Sequence, residues 1–335
     1  MAGSAARGLI LLLRRAGLGL LLLALGACAS SPYRYGVDPA MAPADKYPPM
    51  AQQVYQGAPH AVLDAADWYW PPSLLGKLLL WNADVDSHEI SPETLSTLQT
   101  YLDCNGLDHV QVLANRYAPG NQWLRLFRNR TVGAGWRYTL GVLSVALYSA
   151  LPGRFFGGDA YSAYTNTIFL YSDDPAIALH EGGHAKDFAR RKYKGLNAAI
   201  YALPFAALYY EAEATREALG YAQAQADAQL LREGYHSLYP AYATYVGGSV
   251  SRWTPWSAAG VIPGHIAGRW AGAAVPESLE ERVAFEAATP ELAASLQAVP
   301  GCPWSVTPPE SVEEMHSLPQ APEGDTSVQS PPAGL

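Results

Sequence analysis

The chain contains few cysteines and few charged residues. Its 335 residues include only 3 cysteines, and charged residues make up 16%. Three cysteines are too few for a fold held together by disulfides, and none of them belongs to the CxxC pair of a zinc finger. Basic residues are also scarce, because 22 Lys and Arg stand against 30 Asp and Glu, which gives a formal net charge of −8. This balance disfavours a nucleic-acid-binding protein, which needs basic groups to neutralise phosphates. The hydrophobic content of 49% excludes a wholly disordered chain.

The first 28 residues have the order of an export signal. Three arginines precede an apolar run, which ends in Leu25-Gly26-Ala27-Cys28. A charged segment followed by an apolar segment and then by small residues is typical of a signal peptide. The final tetrapeptide resembles the lipobox of bacterial lipoproteins, in which the cysteine is lipidated and becomes the first mature residue. We therefore predict a signal peptide over residues 1–27.

The lipobox resemblance implies a membrane anchor and a compartment. Cys28 would carry the lipid, and the membrane would be a partner of the protein through this anchor. Ala29 and Ser30 follow the cysteine in place of an aspartate, which in lipoproteins favours transfer to the outer membrane. The expected location is the cell envelope, at the periplasmic face of the outer membrane. An ordinary signal peptide or a single N-terminal membrane helix is the alternative.

Both ends of the mature chain have a composition that disfavours packing. Residues 28–60 are rich in proline and tyrosine and predict a tether with little fixed structure. Residues 301–335 predict a disordered tail, because seven prolines and scattered acids there cannot bury enough apolar surface. Cys104 and Cys302 can either form a disulfide in an oxidising compartment or remain as two buried thiols.

Between these ends the pattern predicts an α+β fold dominated by helices, with an N-terminal region over residues 61–153 and a second region over 154–300. Ser91-Pro92-Glu93 is typical of a helix start, and the following leucine stripe predicts a helix that ends near residue 105. Alternation over residues 109–117 predicts a half-buried strand. Residues 138–151 are apolar on all faces but too short to span a bilayer, so we predict a buried core helix. An interfacial or re-entrant membrane segment is the alternative.

The residues with recognisable chemistry are concentrated between Asp173 and Lys194. Acidic residues and Pro175 stand at the start of this segment and basic residues at its end, which predicts one helix closed by Gly195. It contains the sequence His180-Glu181-Gly182-Gly183-His184. Histidines four residues apart lie on one helical face, so both can bind one metal ion, while Glu181 lies beside them. This is the HExxH pattern of zinc hydrolases. The two glycines are unfavourable in a helix and predict close packing around the site.

A zinc hydrolase site needs a third protein ligand. The next predicted helix begins at Pro204, runs to about Leu231 and contains both Glu211 and Glu213. Helical spacing places Glu211 on the apolar face, where a carboxylate needs a partner such as a metal ion. We therefore predict Glu211 as the ligand, with Glu213 as the alternative.

These residues resemble the gluzincin metallopeptidases, in which a glutamate on a second helix joins HExxH. The run Glu211-Ala-Glu-Ala-Thr-Arg216 resembles a segment of the bacterial heat-shock, mitochondrial quality-control and prenyl-protein proteases, where the first glutamate binds zinc. The resemblance implies a zincin-like domain with an active-site helix, a preceding strand and a second ligand-bearing helix. It also implies one Zn²⁺ held by His180, His184 and Glu211, with Glu181 as the general base.

The chain departs from this family at two positions. Thr215 replaces an aspartate that supports a zinc-binding histidine, and Asp187 is a possible substitute. Lys186 stands where zinc peptidases usually carry an apolar residue. Both departures lie outside the predicted ligand set.

Three further features bear on the function. Residues 164–171 favour a strand, which is either an internal strand or an edge strand able to bind an extended peptide. Glycine recurs every four residues from Gly260 to Gly272 and predicts a tight helix-packing site or a cover over the active site, with a membrane-surface role as the alternative. His236, His265 and Arg269 are candidate oxyanion donors, although a structural role is more common for such residues.

Two functions from different classes fit this pattern. The first is a lipid-anchored zinc metallopeptidase of the cell envelope that hydrolyses peptide bonds in peptides or proteins. The second is a catalytically silent zinc-binding lipoprotein that serves as an outer-membrane scaffold or assembly factor. Glu181 discriminates between them, because a scaffold needs the metal ligands but not a general base.

Overall fold

A computed structural model describes residues 33–38, 40–41, 43–58, 60–151, 158–203, 205–251, 260–279, 286–287 and 302. The predicted signal peptide, Cys28, Pro204 and the tail beyond Cys302 lie outside the described residues. Helices dominate the described part of the chain and accompany a small mixed sheet. The predicted α+β class with dominant helices is therefore confirmed.

The N-terminal half of the chain alternates short strands with helices. Its elements are β1 Arg34–Tyr35, β2 Val54–Gln56, α1 Ala61–Trp68, α2 Pro71–Leu80, α3 Pro92–Cys104, β3 Gln111–Ala114 and α4 Pro119–Arg128. A short helix, α5 Ala134–Trp136, then continues through a π-helical turn, Arg137–Gly141, into α6 Val142–Ala150. The predicted helix start at Ser91 is confirmed, because the Ser91 side chain accepts a hydrogen bond from the backbone of Thr94.

The C-terminal half begins with a hairpin and continues as a helical array. Its elements are β4 Ala160–Ser162, β5 Thr167–Leu170, α7 Pro175–Arg190, α8 Lys194–Tyr201, α9 Ala206–Ala224, α10 Ala228–Ser251, α11 Val261–Ala273 and β6 Glu286–Ala287. Helix α7, which carries HExxH, packs against α3, α9 and α10. The predicted metal-binding motif therefore lies on the central helix of the array.

The four-stranded sheet has the order β2-β3-β5-β4. Strands β2, β3 and β5 are parallel, and β4 pairs antiparallel with β5. The strand predicted over residues 109–117 is shorter and is buried on both faces, not half-buried. Val112 belongs to the main core, whereas Leu113 packs with Phe169 on the other face of the sheet. Alternation is lost because both faces are covered.

Residues 33–58 differ from the predicted tether. Strand β1 pairs with β6, and β2 forms one edge of the main sheet. Tyr35 and Val37 are buried in the main core, and the ring of Tyr35 makes edge contacts with Tyr33 and Tyr221. The aromatic residues that suggested an unstructured segment are therefore the residues that attach it. The sheet also joins the two predicted regions across residue 153.

The two remaining cysteines are joined. Cys104, at the end of α3, forms a disulfide with Cys302, with their Cα atoms 5.5 Å apart. Both residues are buried. This decides between the two alternatives left open by the sequence, and it fixes the start of the C-terminal tail to the core.

The prediction of a buried core helix over residues 138–151 is wrong. Only Gly141 and Val145 are buried in the π-helical turn and α6, whereas Tyr138, Leu143 and Leu147 are more than half exposed. An all-round apolar sequence indicates that a helix needs an apolar environment, but it does not identify what provides it. Among the described residues, no helix is both long enough and apolar enough to cross a membrane.

The glycine repeat of α11 forms a tight contact with α10. A Cβ at Gly264 would lie 2.6 Å from the Cβ of Ala243, and a Cβ at Gly268 would lie 2.3 Å from the carbonyl oxygen of Tyr235. Side chains at these positions would therefore separate the two helices. The predicted helix-packing role is confirmed.

Candidate metal centre

Local capping sets the position of helix α7. Asp174 is the N-cap, and its carboxylate accepts hydrogen bonds from the backbone of Ala176 and Ile177. The Lys194 ammonium donates to three carbonyl groups at the other end of the helix. Gly195 does not close this helix as predicted, because the chain turns at Arg191 and Gly195 belongs to α8.

The two motif histidines lie on one face of α7. The ring centroids of His180 and His184 are 4.7 Å apart. The carboxylate of Glu211 lies against both rings, with Oε2 3.1 Å from Nε2 of His180 and Oε1 3.6 Å from Nε2 of His184. One ligand atom from each of the three residues lies within 4.8 Å of the others. The three residues can therefore hold one metal ion.

The structure brings Glu211, not Glu213, to the histidines. Glu211 is 1% exposed, whereas Glu213 pairs with Arg216 at 2.5 Å on the outer side of α9. Helix α9 is shorter than the predicted helix, because it ends at Ala224 and Ala226 adopts a positive φ of 55°. The part of α9 around Glu211 is regular, which is why the helical-face argument succeeds.

The two motif glycines allow neighbouring helices to approach α7. A Cβ at Gly182 would lie 2.6 Å from Cε1 of Tyr101 in α3. A Cβ at Gly183 would lie 3.0 Å from the carbonyl oxygen and 3.1 Å from the Cα of Ala214 in α9. The contact at Gly183 is with backbone, which cannot rotate away. Gly183 therefore allows α9 to bring Glu211 close enough to the histidines.

The three candidate ligands shift one another's pKa values. Burial opposes the charge of Glu211, but hydrogen bonds from His180 and His184 outweigh it and hold its pKa well below the usual range. Burial lowers the pKa of His180, partly offset by Glu211. Burial also lowers the pKa of His184, but the Glu211 carboxylate outweighs this and leaves it raised. Glu211 therefore remains an anionic ligand near neutral pH.

Glu181 is buried and lines a cleft together with His184 and Glu211. Burial raises its pKa to about 8, and the nearby carboxylates of Glu211 and Asp159 add to the increase, whereas His184 and a backbone hydrogen bond from Tyr161 oppose it. A carboxyl group with this pKa can exchange a proton near neutral pH. Its environment matches that of a general acid–base group.

Two residues support the ligand set from outside it. Thr215 Oγ1 lies 3.4 Å from Nδ1 of His180, so Thr215 faces a candidate ligand. Asp187, the substitute suggested by the sequence, instead accepts a hydrogen bond from Arg191. The hydroxyl of Tyr201 donates to Oε1 of Glu211.

Lys186 is buried on the other side of α7. Its ammonium pairs with Glu217 of α9, and it also donates to the Tyr33 hydroxyl at 2.9 Å and to the backbone carbonyl of Arg34. The departure from the family's apolar residue therefore has a structural reason. Lys186 joins the N-terminal strand to both helices that carry the candidate ligands.

A cleft of about 420 Å³ opens over the site. Glu181, His184 and Glu211 lie in its wall together with β4, α6 and aromatic side chains. The strand predicted over residues 164–171 is β5, which is internal because it pairs on both sides; the edge of the described sheet beside the cleft is β4. The cleft is lined by no residue of α11, so the prediction of α11 as an active-site cover is wrong.

The predicted oxyanion donors lie elsewhere. His236 and Arg269 line a separate pocket. His265 stacks on Trp81, and its Nε2 lies 2.7 Å from the carbonyl oxygen of Leu79. None of the three lines the cleft over the candidate metal site.

Two tyrosines that the sequence analysis missed reach the cleft. Tyr201 comes from α8 and Tyr245 from α10. Burial raises the pKa of both hydroxyls, and Glu211 raises it further, so both remain hydrogen-bond donors at neutral pH. The sequence carries no motif around either tyrosine that distinguishes it from the other 19 tyrosines of the chain.

Comparison of this chain with known protein families, curated proteins and solved structures found no match. The geometry of the site is therefore the basis for the functional argument below.

Proposed function

We propose that this protein is a zinc metallopeptidase, anchored to the cell envelope through a lipid on Cys28, that hydrolyses peptide bonds. The observation that carries the proposal is that ligand atoms of His180, His184 and Glu211 lie within 4.8 Å of one another, while Glu181 lines the same cleft as His184 and Glu211. A scaffold would need the ligands alone. A buried carboxyl group with a raised pKa at the metal site favours the enzyme.

The chemistry of the donor set fits zinc. Two imidazole nitrogens and one carboxylate oxygen are a common catalytic zinc set, and three protein ligands leave one position open. The carboxylate of buried Glu211 faces both histidines, and Tyr201 donates a hydrogen bond to its Oε1. A bound zinc ion would supply Lewis acidity that lowers the pKa of water toward neutrality and polarises the scissile carbonyl.

The protein groups then handle the protons. In this mechanism Glu181 accepts a proton from the attacking water and delivers it to the nitrogen of the leaving amine as the C–N bond breaks. The hydroxyl of Tyr245 reaches the cleft and is a better candidate than His236 or His265 to stabilise the developing oxyanion, because neither histidine lines the cleft. Tyr201 holds Glu211 in position.

The cleft is suited to an extended peptide. Strand β4, Ala160–Ser162, forms its wall and lies at the edge of the described sheet. An edge strand offers unpaired backbone groups, to which a substrate strand can add. The arrangement of active-site helix, neighbouring strands and second ligand helix supports the proposed zincin-like character of the domain.

The proposal is tested by separating metal binding from catalysis. Glu181→Gln should retain about one zinc ion per chain and lose peptide hydrolysis, because it removes the base but none of the ligands. Glu211→Gln should weaken zinc binding and eliminate turnover, whereas Glu213→Gln is the matched control and should do neither. Elemental analysis and cleavage of an envelope-protein extract, with and without chelator, provide the two readouts.

The outcomes distinguish the enzyme from the alternative scaffold. The silent zinc lipoprotein would be supported if the parent binds zinc but shows no chelator-sensitive cleavage, and if Glu181→Gln behaves in the same way. Full zinc retention in His180→Ala and His184→Ala would refute the metal site itself.

A further inference from the structure

The surface formed by α4, α5, the π-helical turn and α6 carries several exposed apolar side chains. They include Leu124, Phe127, Trp136, Tyr138, Leu143 and Leu147, each between 38% and 54% exposed. We call these six residues the α4–α6 face. Phe127 stacks on Tyr138 across the junction of the two helices, and α4 packs against α6. The face is therefore one continuous surface.

The segment of sequence that forms this face carries charge of one sign. The sequence contains no aspartate or glutamate between residues 109 and 158, a stretch that includes six arginines. Among these, Arg116, Arg128 and Arg130 are exposed and Arg137 is half-buried. This is a local reversal in a chain whose formal net charge is −8. Basic groups around exposed tryptophan, tyrosine, phenylalanine and leucine are typical of proteins that lie on anionic membranes.

The N-terminal segment approaches the same end of α7 as this face. Arg190, the last residue of α7, donates a hydrogen bond to the carbonyl of Gly36. Five residues later, a Cβ at Gly195 would lie 2.5 Å from the Cβ of Trp136. The chain from Cys28 to Tyr33 spans five residues, which can reach roughly 18 Å when fully extended. A lipid on Cys28 would therefore hold this end of the molecule close to the bilayer.

We propose that the α4–α6 face docks on an anionic lipid bilayer. The apolar side chains enter the interface, and the arginines contact the headgroups. Leu147 and Leu151 also line the metal cleft, so docking places one wall of the cleft at the lipid surface. A consequence, which rests on the proposed peptidase function, is that the substrates are peptide segments at the membrane surface.

A second exposed apolar surface provides the control. Leu78 of α2 is 62% exposed, compared with 54% for Leu143. It lies on the helix that packs against α11, on a side of the molecule where four acids, Asp84, Asp173, Asp174 and Glu233, and one cation, Arg269, line the nearby pocket. Leu78 and Leu143 therefore match in type and exposure but differ in the charge around them.

The test uses the full chain with a photoreactive diazirine analogue of leucine at position 143 or at position 78. Each protein is reconstituted in phosphatidylcholine vesicles with or without phosphatidylglycerol, irradiated, and analysed for covalent lipid adducts by mass spectrometry. We expect several-fold more adducts at position 143 than at position 78, an increase with phosphatidylglycerol, and a decrease in Arg128→Gln. The readout needs neither a metal ion nor cleavage, so its failure is distinguishable from failure of the peptidase proposal.

Three results would overturn the docking proposal. Equal or fewer lipid adducts at position 143 than at position 78 would show that this face does not contact lipid preferentially. Cross-links from position 143 to another chain would identify the face as an interface between copies. Cross-links within the chain to residues 303–335 would show that the C-terminal tail covers it.

Discussion

The buried pair between Lys186 and Glu217 provides a stringent test of the packing behind the metal site. Lys186 is fully buried, and the Glu217 side chain is 15% exposed. Tyr33 and the carbonyl of Arg34 accept the remaining hydrogen bonds of the ammonium. Glu217→Gln removes the anion and leaves a buried cation with neutral partners.

The expected loss of unfolding free energy in Glu217→Gln follows from the burial of Lys186. Removing one partner of a buried ion pair typically costs about 3–5 kcal/mol, because the other charge stays desolvated and uncompensated. Lys186→Met should cost less, since Glu217 retains Tyr101 at 3.2 Å and Arg190 at 3.9 Å. The double variant Lys186→Met/Glu217→Gln should return to within about 2 kcal/mol of the parent, because no unpaired charge remains.

The pH dependence has a defined sign. Burial lowers the pKa of Lys186 to about 7, although Glu217 opposes the shift. Because this folded-state pKa lies below the unfolded value, the charged lysine destabilises the fold, and the unfolding free energy rises with pH from about 7 to about 10. Without Glu217 the pKa falls further, so this rise begins at lower pH. The deficit of Glu217→Gln relative to the parent should therefore be larger at about pH 5 than at about pH 7.

Denaturant unfolding of the metal-free chain, followed by tryptophan fluorescence, measures these differences. The midpoints can be compared directly if the m-value stays constant. Glu213→Gln is the matched control, because its partner Arg216 is exposed and such a pair contributes about 0–1 kcal/mol. A cost below about 1 kcal/mol for Glu217→Gln, or a double variant no more stable than that single variant, would refute the reasoning.

Three further predictions concern the site, the disulfide and the anchor. Gly183→Ala should lower zinc affinity, and it should lower the unfolding free energy by about 0–2 kcal/mol, because forced packing against Ala214 outweighs a helix gain of about 1 kcal/mol. Gly248→Ala is the control, because the space around its Cβ is open, and its effect on stability should be neutral or favourable. Isothermal titration with zinc measures whether Gly183→Ala alone loses affinity. Reducing the Cys104–Cys302 disulfide, which closes a loop over a separation of 198 residues, should lower the unfolding free energy by up to about 5 kcal/mol in denaturant titrations. Cys28→Ser should release the protein from membranes or block its maturation, and normal fractionation and processing of this variant would contradict the lipid anchor.

The local features of the candidate site were predictable because they depend on helical periodicity. Residues four apart share a helix face wherever the helix is regular, so the meeting of His180 and His184 followed from the sequence. Glu211 followed from the expectation that a carboxylate on an apolar face has a partner. The structure places these three residues together, and the regular segment of α9 that carries Glu211 made the prediction possible.

The predictions that failed concern features that depend on long-range packing. Sequence alone did not reveal that α6 lies at the surface, since its partners come from distant segments. It also did not predict that Tyr33 and Tyr35 attach the N-terminal segment to α7, α9 and the core, or that Tyr201 and Tyr245 converge on the cleft. Each of these contacts depends on which helices and strands become neighbours in three dimensions. Hydrophobic periodicity carries no information about which elements become neighbours.

Lys186 connects the N-terminal segment, which follows the proposed lipid anchor, to the helices of the candidate metal site. A buried lysine in α7 has a high desolvation cost, and an apolar residue at this position would avoid that cost. Here the ammonium contacts the N-terminal strand, α7 and α9 at once. Because the strand begins six residues after Cys28, a lipid on that cysteine would be connected by a short chain to the two helices that carry the candidate ligands. The tether and the metal site would then move together, which constrains the height of the cleft above the bilayer.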